Sequence, residues 1–273
     1  MPALPVSAPV PPSLEACPAP RAVTARFPVD PVDHRHAARR PAVDLEVVVP
    51  AYNEAERLPA TVTATVDYLA AQPWTSRVVV VDNGSSDDTA RVTRNLAETA
   101  PVPVTIIGCA RPGKGAAVRR GLLTSESRFV GFFDADLATP LPTLTTAMAL
   151  LRDGASAVVA SRYSPGSALL RPQPWSRRVG GAVFRRMTRA LVDGVSDTQC
   201  GFKFFDRHAV SRALAQCRTT GFAFDVELLR LIQADGGSIV EIPVAWTDDP
   251  RSTFRPISDG VSSFAALLAL RRG

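Results

Sequence analysis

The stretch RFVGFFDADLATP, Arg128 to Pro140, runs through large apolar residues and stops on two carboxylates, Asp134 and Asp136. A short apolar run that ends at a turn signal reads as a strand buried on both faces. Alternation along a strand turns residues two apart to the same side, so both carboxylates belong together at the carboxyl edge, where open α/β sheets bind ligands. Two acids so placed repel unless positive charge lies beside them. A divalent cation holding a diphosphate suits them, because hard oxygen ligands favour magnesium or manganese. The plainer alternative is a solvated turn whose acids cap the next helix.

The same grammar extends in both directions. LEVVVP, RVVVVD, VTIIG and SAVVASR are further buried-strand runs, and the intervening stretches 55–71, 88–99, 114–125 and 140–152 have helical character. That alternation predicts an α/β fold, a mostly parallel Rossmann-like sheet with helices on both faces, in a single domain. After Arg162 the chain passes through a Pro- and Arg-rich loop, and helices are expected at 176–192, 207–216 and 224–235, followed by the strand SIVEIPVAW. Ile257, Val261, Phe264 and Leu268 recur at helical spacing and predict an amphipathic C-terminal helix ending in Arg271 and Arg272. Residues 1–42, rich in Pro, Ala and Arg without periodicity, read as a disordered tail. The folded domain is expected over 43–273.

Composition narrows the class. With 273 residues, 46% hydrophobic, the chain can bury one full core. Lys and Arg number 31 against 26 acids, and only Lys114 and Lys203 are lysines, each inside a motif treated below. The pI near 9.4 permits an anionic partner. There is no RNA-binding signature and no paired C-x-x-C, which argues against nucleic acid. Cys17, Cys109, Cys200 and Cys217 lie far apart without metal spacing and read as reduced, cytosolic thiols. No run approaches the roughly 18 apolar residues of a membrane span, and the N-terminus lacks a signal-peptide pattern. The expectation is a cytoplasmic protein, soluble or peripheral at the inner face of the cytoplasmic membrane.

GCARPGKGAA, Gly108 to Ala117, has the spacing of a phosphate-binding P-loop as far as Gly113 and Lys114. A P-loop then needs Ser or Thr to ligate magnesium, and Gly115 stands there instead. VVVPAYNEAERL and VVVVDNGSSDDT each end a strand on polar residues before a helix. Asp82 is a candidate acceptor for a base or ribose, and Ser85 with Asp88 resembles a capping box. Glu54 is either a site residue or an acid placed at a helix N-terminus by the macrodipole.

In order along the chain, PAYNEAERLP, VDNGSSDDT, GKGAAVRRG, DADLATP, SR, DTQCGFKFF, FAFDVELL and EIPVAW resemble the family 2 glycosyltransferases, and are most similar to the dolichyl-phosphate β-glucosyltransferase branch. The resemblance covers nearly all of residues 44–250. It implies a glycosyltransferase A fold with a nucleotide sugar across the sheet edge and a metal, Mg2+ or Mn2+, at the DAD motif. Residue by residue it places Pro50, Ala51, Tyr52, Glu54 and Asp82 against the nucleotide, Asp134 at the ribose or metal, and Asp136 at the metal. In this family GKG follows a strand and leads into a helix near the nucleotide sugar, so the P-loop spacing is a coincidence. Lys114 or Arg119 either touches phosphate there or is a solvated surface group.

The resemblance puts the acceptor in the second half. Arg162, in the family's SR, falls where an acceptor phosphate sits, with Arg177 or Arg178 a second contact. Asp197, Gln199 and Lys203 either brace or contact the site, with Lys203 counted among the acceptor-phosphate contacts. Arg185, Arg186 and Arg189 form a solvated or membrane-facing surface, and Cys200 reads as a packed small residue. Asp225 stands where the family has its acid near the acceptor, as a general base or as a structural group. Ser252 matches a C-terminal Gly-Ser-Lys element of the glucosyl branch, but Thr253 replaces its lysine. Ala138 stands where many mannosyl relatives have glutamine. Eukaryotic members carry an N-terminal membrane anchor that this sequence lacks, so lipid contact is expected through arginines and the C-terminal helix. The implied activity is an inverting transfer of a sugar, glucose from UDP-glucose, to a polyprenyl or dolichyl phosphate. The alternatives are a soluble transferase acting on a hydroxyl and a nucleotide-sugar binding protein without turnover.

Overall fold

The valine-rich strands owe their composition to burial on both faces. On β1 (Leu45–Ala51), Val47 and Val49 pack into one apolar cluster while Val48, between them, packs into the other. The computed structural model describes residues 43–169, 185–221 and 223–246, all within one compact unit, His36–Gly273. Arg177, Ser252, the N-terminal tail and the expected C-terminal helix lie outside the described residues.

From β1 the chain continues through α1 (Leu58–Ala70), β2 (Ser76–Asp82), α2 (Thr89–Thr99), β3 (Val104–Gly108), α3 (Lys114–Thr124), β4 (Phe129–Phe133), α4 (Thr143–Arg152) and β5 (Ala157–Ser161). Next come a two-residue strand β6 (Ala168–Leu169), β7 (Phe202–Asp206), α5 (Arg207–Gln216), α6 (Phe224–Ala234), β8 (Ile239–Pro243) and β9 (Ala245–Trp246). Seven strands form one sheet in the order β3-β2-β1-β4-β7-β5-β8, and β6 pairs with β9 apart from it. Leu58, Val62 and Leu69 of α1 and Leu144 and Met148 of α4 fill one face. Val118 and Leu122 of α3, Val210 and Leu214 of α5, and Leu228 and Ile232 of α6 fill the other. The chain moves outward from β1 through β2 to β3 and then returns to β4 on the other side of β1. That reversal opens a crevice at the carboxyl edge, the usual ligand site of such sheets.

β7 departs from the expected elements. It runs antiparallel between β4 and β5, with Lys203 opposite Phe132 on one side and Val159 on the other. A lysine in the middle of FKFFD breaks both the alternating and the continuous apolar pattern, so the segment gives no strand signal. α1 also begins at Leu58 rather than 55, because the residues before it form a turn in which Arg57 N–H donates to Glu54 O at 3.0 Å. Of the helix expected over 176–192, the described part holds one helical turn, 185–188.

Gly131 lets β7 lie close. A Cβ there would stand 2.2 Å from the Phe204 ring and 2.4 Å from the Lys203 carbonyl oxygen. Gly131→Ala is therefore expected to lower the urea-unfolding free energy by about 1–3 kcal/mol. Gly108→Ala, whose Cβ would meet nothing within 4 Å, should stay within about 0.5 kcal/mol of the parent.

Candidate active site

Three loops at the carboxyl edge are tied together before any ligand is considered. Asn53 sits in the left-handed region at φ 54°, a conformation its short polar side chain tolerates. Its N–H donates to Ser85 Oγ at 2.9 Å, and its Oδ1 accepts from Ser86 N–H at 2.8 Å. Ala55 N–H donates to Asp87 Oδ2 at 3.1 Å and Glu54 N–H to Thr89 Oγ1 at 2.9 Å. Asn83 knits in the third loop, accepting from Gly113 N–H at 2.8 Å and donating to the carbonyls of Cys109 and Arg111 at 3.1 and 2.7 Å. Pro50, Ala51 and Tyr52 lie at the end of β1, and Tyr52 is 56% exposed over this edge. Asp82 ends β2 and accepts from Ser85 N–H at 3.0 Å.

The expected capping box does not form. Asp88 makes no side-chain cap bond and pairs with Arg91 at 2.7 Å, while Asp87 Oδ1 accepts from Thr89 N–H at 3.0 Å. Asp87 thus serves both the helix start and the β1–α1 loop, a double role that spacing alone does not reveal. Glu54 is nearly enclosed and its carboxylate takes the Arg57 guanidinium at 2.5 and 2.6 Å.

The glycines of GKG answer to packing. Gly113 has φ 112°, and a Cβ there would stand 2.8 Å from Thr220 O. At Gly115 a Cβ would stand 2.6 Å from Phe224 Cβ and 2.7 Å from Thr220 O, so the P-loop hydroxyl has no room. With the backbone wedged on both sides, Lys114 opens α3 and places Nζ 2.5 Å from Asp134 Oδ1. Asp134 is itself pinned. Its N–H donates to Gly201 O at 3.0 Å, and its Oδ2 occupies the space a Cβ of residue 201 would need, 1.9 Å away.

Asp136 follows in a turn, with Oδ1 accepting from Ala138 N–H at 3.1 Å. Burial and the neighbouring Asp134 charge push its pKa up. Desolvation works against the Lys114 ammonium, but the charges of Asp134, Asp225 and Asp136 outweigh it and raise its pKa. Two carboxylates crowded until one resists ionisation fit a divalent cation, which relieves that repulsion. Among the described residues no group of three or more His, Cys, Asp or Glu is assembled for a metal. A cation on Asp134 and Asp136 would therefore complete its shell with ligand or water oxygens.

Arg162 faces the acids across one cleft. The cleft is lined by Asp134, Asp136, Ala138, Arg162, Gln199 and Trp246, among others. Arg162 Nε and Nη2 donate to the two oxygens of Asp197 at 2.7 and 2.9 Å, and its guanidinium lies 5.3 Å from the Trp246 ring. Asp197 is fully buried; burial opposes its charge, and the Arg162 guanidinium overcomes this and holds its carboxyl below the usual range. Glu241 fixes that aspartate from β8, accepting from the N–H groups of Ser196 and Asp197 at 2.9 and 2.8 Å. Arg185 stacks 3.8 Å from the Tyr163 ring, whose centroid lies 5.5 Å from the Arg162 guanidinium. The sequence placed Arg185 in an undifferentiated charge run; its contact with Tyr163 joins residues 22 positions apart in the chain and leaves no local signal.

Lys203 requires a correction. It was expected as an acceptor-phosphate contact, but the sheet encloses it completely. Its Nζ donates to Cys200 O at 2.6 Å, stands 2.8 Å from Asp225 Oδ1 and lies 5.3 Å from the Phe132 ring. An ammonium so enclosed braces Asp225 instead of meeting a phosphate. Asp225 occupies the first turn of α6, 7% exposed. Glu227, one position beyond Val226, accepts from the N–H groups of Arg218 and Thr219 at 3.0 and 2.8 Å and so holds the loop whose Thr220 carbonyl wedges Gly113 and Gly115. Cys200 is buried, and burial pushes its thiol up to about 11, which leaves it a packing residue.

Comparison with known proteins agrees with this architecture. The family model described as Glycosyl transferase family 2 matches residues 46–214. A dolichyl-phosphate beta-glucosyltransferase of Dictyostelium discoideum is 30% identical over 240 residues, covering 83% of this chain and 73% of that protein. The Homo sapiens protein of the same name is 32% identical over 245 residues, covering 85% and 76%. Among solved structures, glucosyl-3-phosphoglycerate synthase from Mycobacterium tuberculosis, in complex with Mn2+, UDP-glucose and phosphoglyceric acid, superposes with a TM-score of 0.60 at 21% identity, over 84% of this chain and 80% of that one. That likeness is one of fold.

Asp197→Asn should leave the Arg162 guanidinium without its counter-charge and cost about 3–5 kcal/mol at pH 7. Because Asp197 is held below its unfolded value, its contribution is full above an unfolded pKa of about 3.9 and fades as pH falls through the folded value. Chemical denaturation at a series of pH values is expected to show the gap between parent and variant closing below about pH 4.

Proposed function

This chain belongs to glycosyl transferase family 2, and we propose that it transfers glucose from UDP-glucose to a polyprenyl or dolichyl phosphate in one inverting displacement. The observation that carries this reading is the cleft in which Arg162, an anion-binding group, faces the Asp134 and Asp136 pair. The names of the Dictyostelium and human relatives supply the lipid phosphate and the sugar.

On the donor side, Asp134 and Asp136 would hold a divalent metal, Mg2+ or Mn2+, which would supply positive charge against the departing diphosphate. Pro50, Ala51, Tyr52, Glu54 and Asp82 line the nucleotide side from the ends of β1 and β2. Lys114, at the start of α3, stands between the acids and the diphosphate. On the acceptor side, Arg162 orients the lipid phosphate so that one of its oxygens attacks the anomeric carbon as the bond to the diphosphate breaks. Preorganisation of Arg162 by Asp197 and Glu241 lets it act without rearrangement at the moment of reaction. Arg177 and Ser252 are proposed further contacts to the same phosphate.

A phosphate monoester is already anionic near neutral pH, so the acceptor needs placement more than deprotonation. Asp225, held by Lys203, is proposed as the acid on the acceptor side, acting as a positioning group. No described helix is long and apolar enough to cross a membrane. The enzyme is proposed to meet its lipid as a peripheral protein at the cytoplasmic face, through arginines and the amphipathic segment 257–268.

The test is transfer of radiolabel from UDP-glucose, with Mn2+ or Mg2+, into a detergent-dispersed polyprenyl phosphate, with GDP-mannose and UDP-N-acetylglucosamine run in parallel. Metal-dependent, acid-labile lipid label from UDP-glucose alone is expected, and Asp136→Ala should lower turnover by about 10²–10³-fold. Absence of lipid label from every donor, while the protein still binds or hydrolyses one of them, would replace the lipid phosphate with a soluble hydroxyl acceptor.

A further inference from the structure

Lys114 and a divalent cation compete for the same oxygen. The ammonium stands 2.5 Å from Asp134 Oδ1, with the Lys114 side chain 31% exposed. A hard cation coordinates a carboxylate oxygen at about 2.1 Å and brings its own water shell, so a metal on that oxygen crowds and repels the ammonium. Asp134 has the less freedom of the two, because its side chain is short and its backbone N–H is bonded to Gly201 O. The α3 backbone cannot yield, with Gly113 and Gly115 wedged against Thr220 O. The lysine side chain is the movable member: long, partly open to solvent and rotatable about its stem.

We propose that Lys114 is an exchangeable counter-ion: it neutralises Asp134 while the donor site is empty and moves onto the diphosphate when metal and nucleotide enter together. This deepens the donor-site reading given above and rests on Asp134 and Asp136 as the metal ligands. Without a nucleotide, a metal must displace the ammonium into water and gains nothing for the displaced charge. With a diphosphate present, the ammonium has an anion to receive it, and the metal has further oxygens to bind. Metal and nucleotide then bind cooperatively, and each strengthens the other by the same factor. The free enzyme is kept from holding a bare metal in a cleft meant for the pair.

The test needs no turnover. Binding of Mn2+ alone is measured by electron paramagnetic resonance on the full chain, for the parent, Lys114→Met and Lys114→Arg, and binding of UDP at saturating Mn2+ is measured by calorimetry. Lys114→Met is expected to bind Mn2+ alone roughly tenfold more tightly and UDP roughly tenfold more weakly, a change within the usual range of coupling between linked sites. Lys114→Arg, which retains the charge, should keep the parent's weak Mn2+ binding. If Lys114→Met binds Mn2+ alone no better than the parent, the exchange is wrong while the donor site stands. If neither the parent nor a folded variant binds Mn2+ even with UDP, the metal site itself falls, and the exchange falls with it.

Discussion

A lysine enclosed in the middle of a β-sheet is the constraint from which the site is built. An unpaired buried charge is strongly destabilising, on the order of 3–5 kcal/mol when its partner is lost. Lys203 therefore requires an acid at hydrogen-bonding range, and the first turn of α6 supplies Asp225 at 2.8 Å. That requirement locks α6 against the sheet. The same turn brings Glu227, which secures the 218–219 backbone, and the adjoining Thr220 carbonyl presses on Gly113 and Gly115. Lys114 is aimed at Asp134 as a result. A charge in the core is thus connected to the Asp134 carboxylate through a helix, a loop and two glycines.

Three ion pairs share this logic: Arg162 with Asp197, Lys203 with Asp225, and Lys114 with Asp134. Their exposures differ in a functional order. The Lys203 pair is enclosed and structural, the Arg162 pair has a buried aspartate and an arginine on the cleft, and the Lys114 pair is about one-third open at both ends. The two buried pairs are shielded from water, and the Lys114 pair is the most accessible of the three. The P-loop resemblance also gains a physical explanation. P-loop glycines leave backbone N–H groups free to wrap a phosphate, whereas these glycines admit the close approach of a neighbouring carbonyl.

The parallel strands and their helices were legible because burial on both faces demands continuous apolar runs, and Val47 to Val49 satisfy that demand residue by residue. β7 was not, since Lys203 interrupts the run that would have marked it and its antiparallel entry needs no crossover helix. The carboxylates Asp134 and Asp136 stood out by their place at a strand end. The partners that position them did not: Gly201 acts by lacking a side chain, and Glu241 reaches Asp197 across 44 residues of chain. Local pattern picks out acids at strand ends, while the identity of their counter-ions depends on tertiary contact. Ser85 and Asp88 show the same limit, for the capping signal was right in kind and Asp87 took the bond.

Stereochemistry tests the central claim most directly. The proposed single displacement, with the phosphate entering opposite the leaving diphosphate, would convert the α-linked glucose of UDP-glucose into a β-linked lipid product. Proton NMR of that product is expected to show the large coupling between H1 and H2 of a β-glucoside, with no sugar trapped on the protein. An α-linked product, or a covalent glucosyl-protein recovered on quenching, would contradict the account.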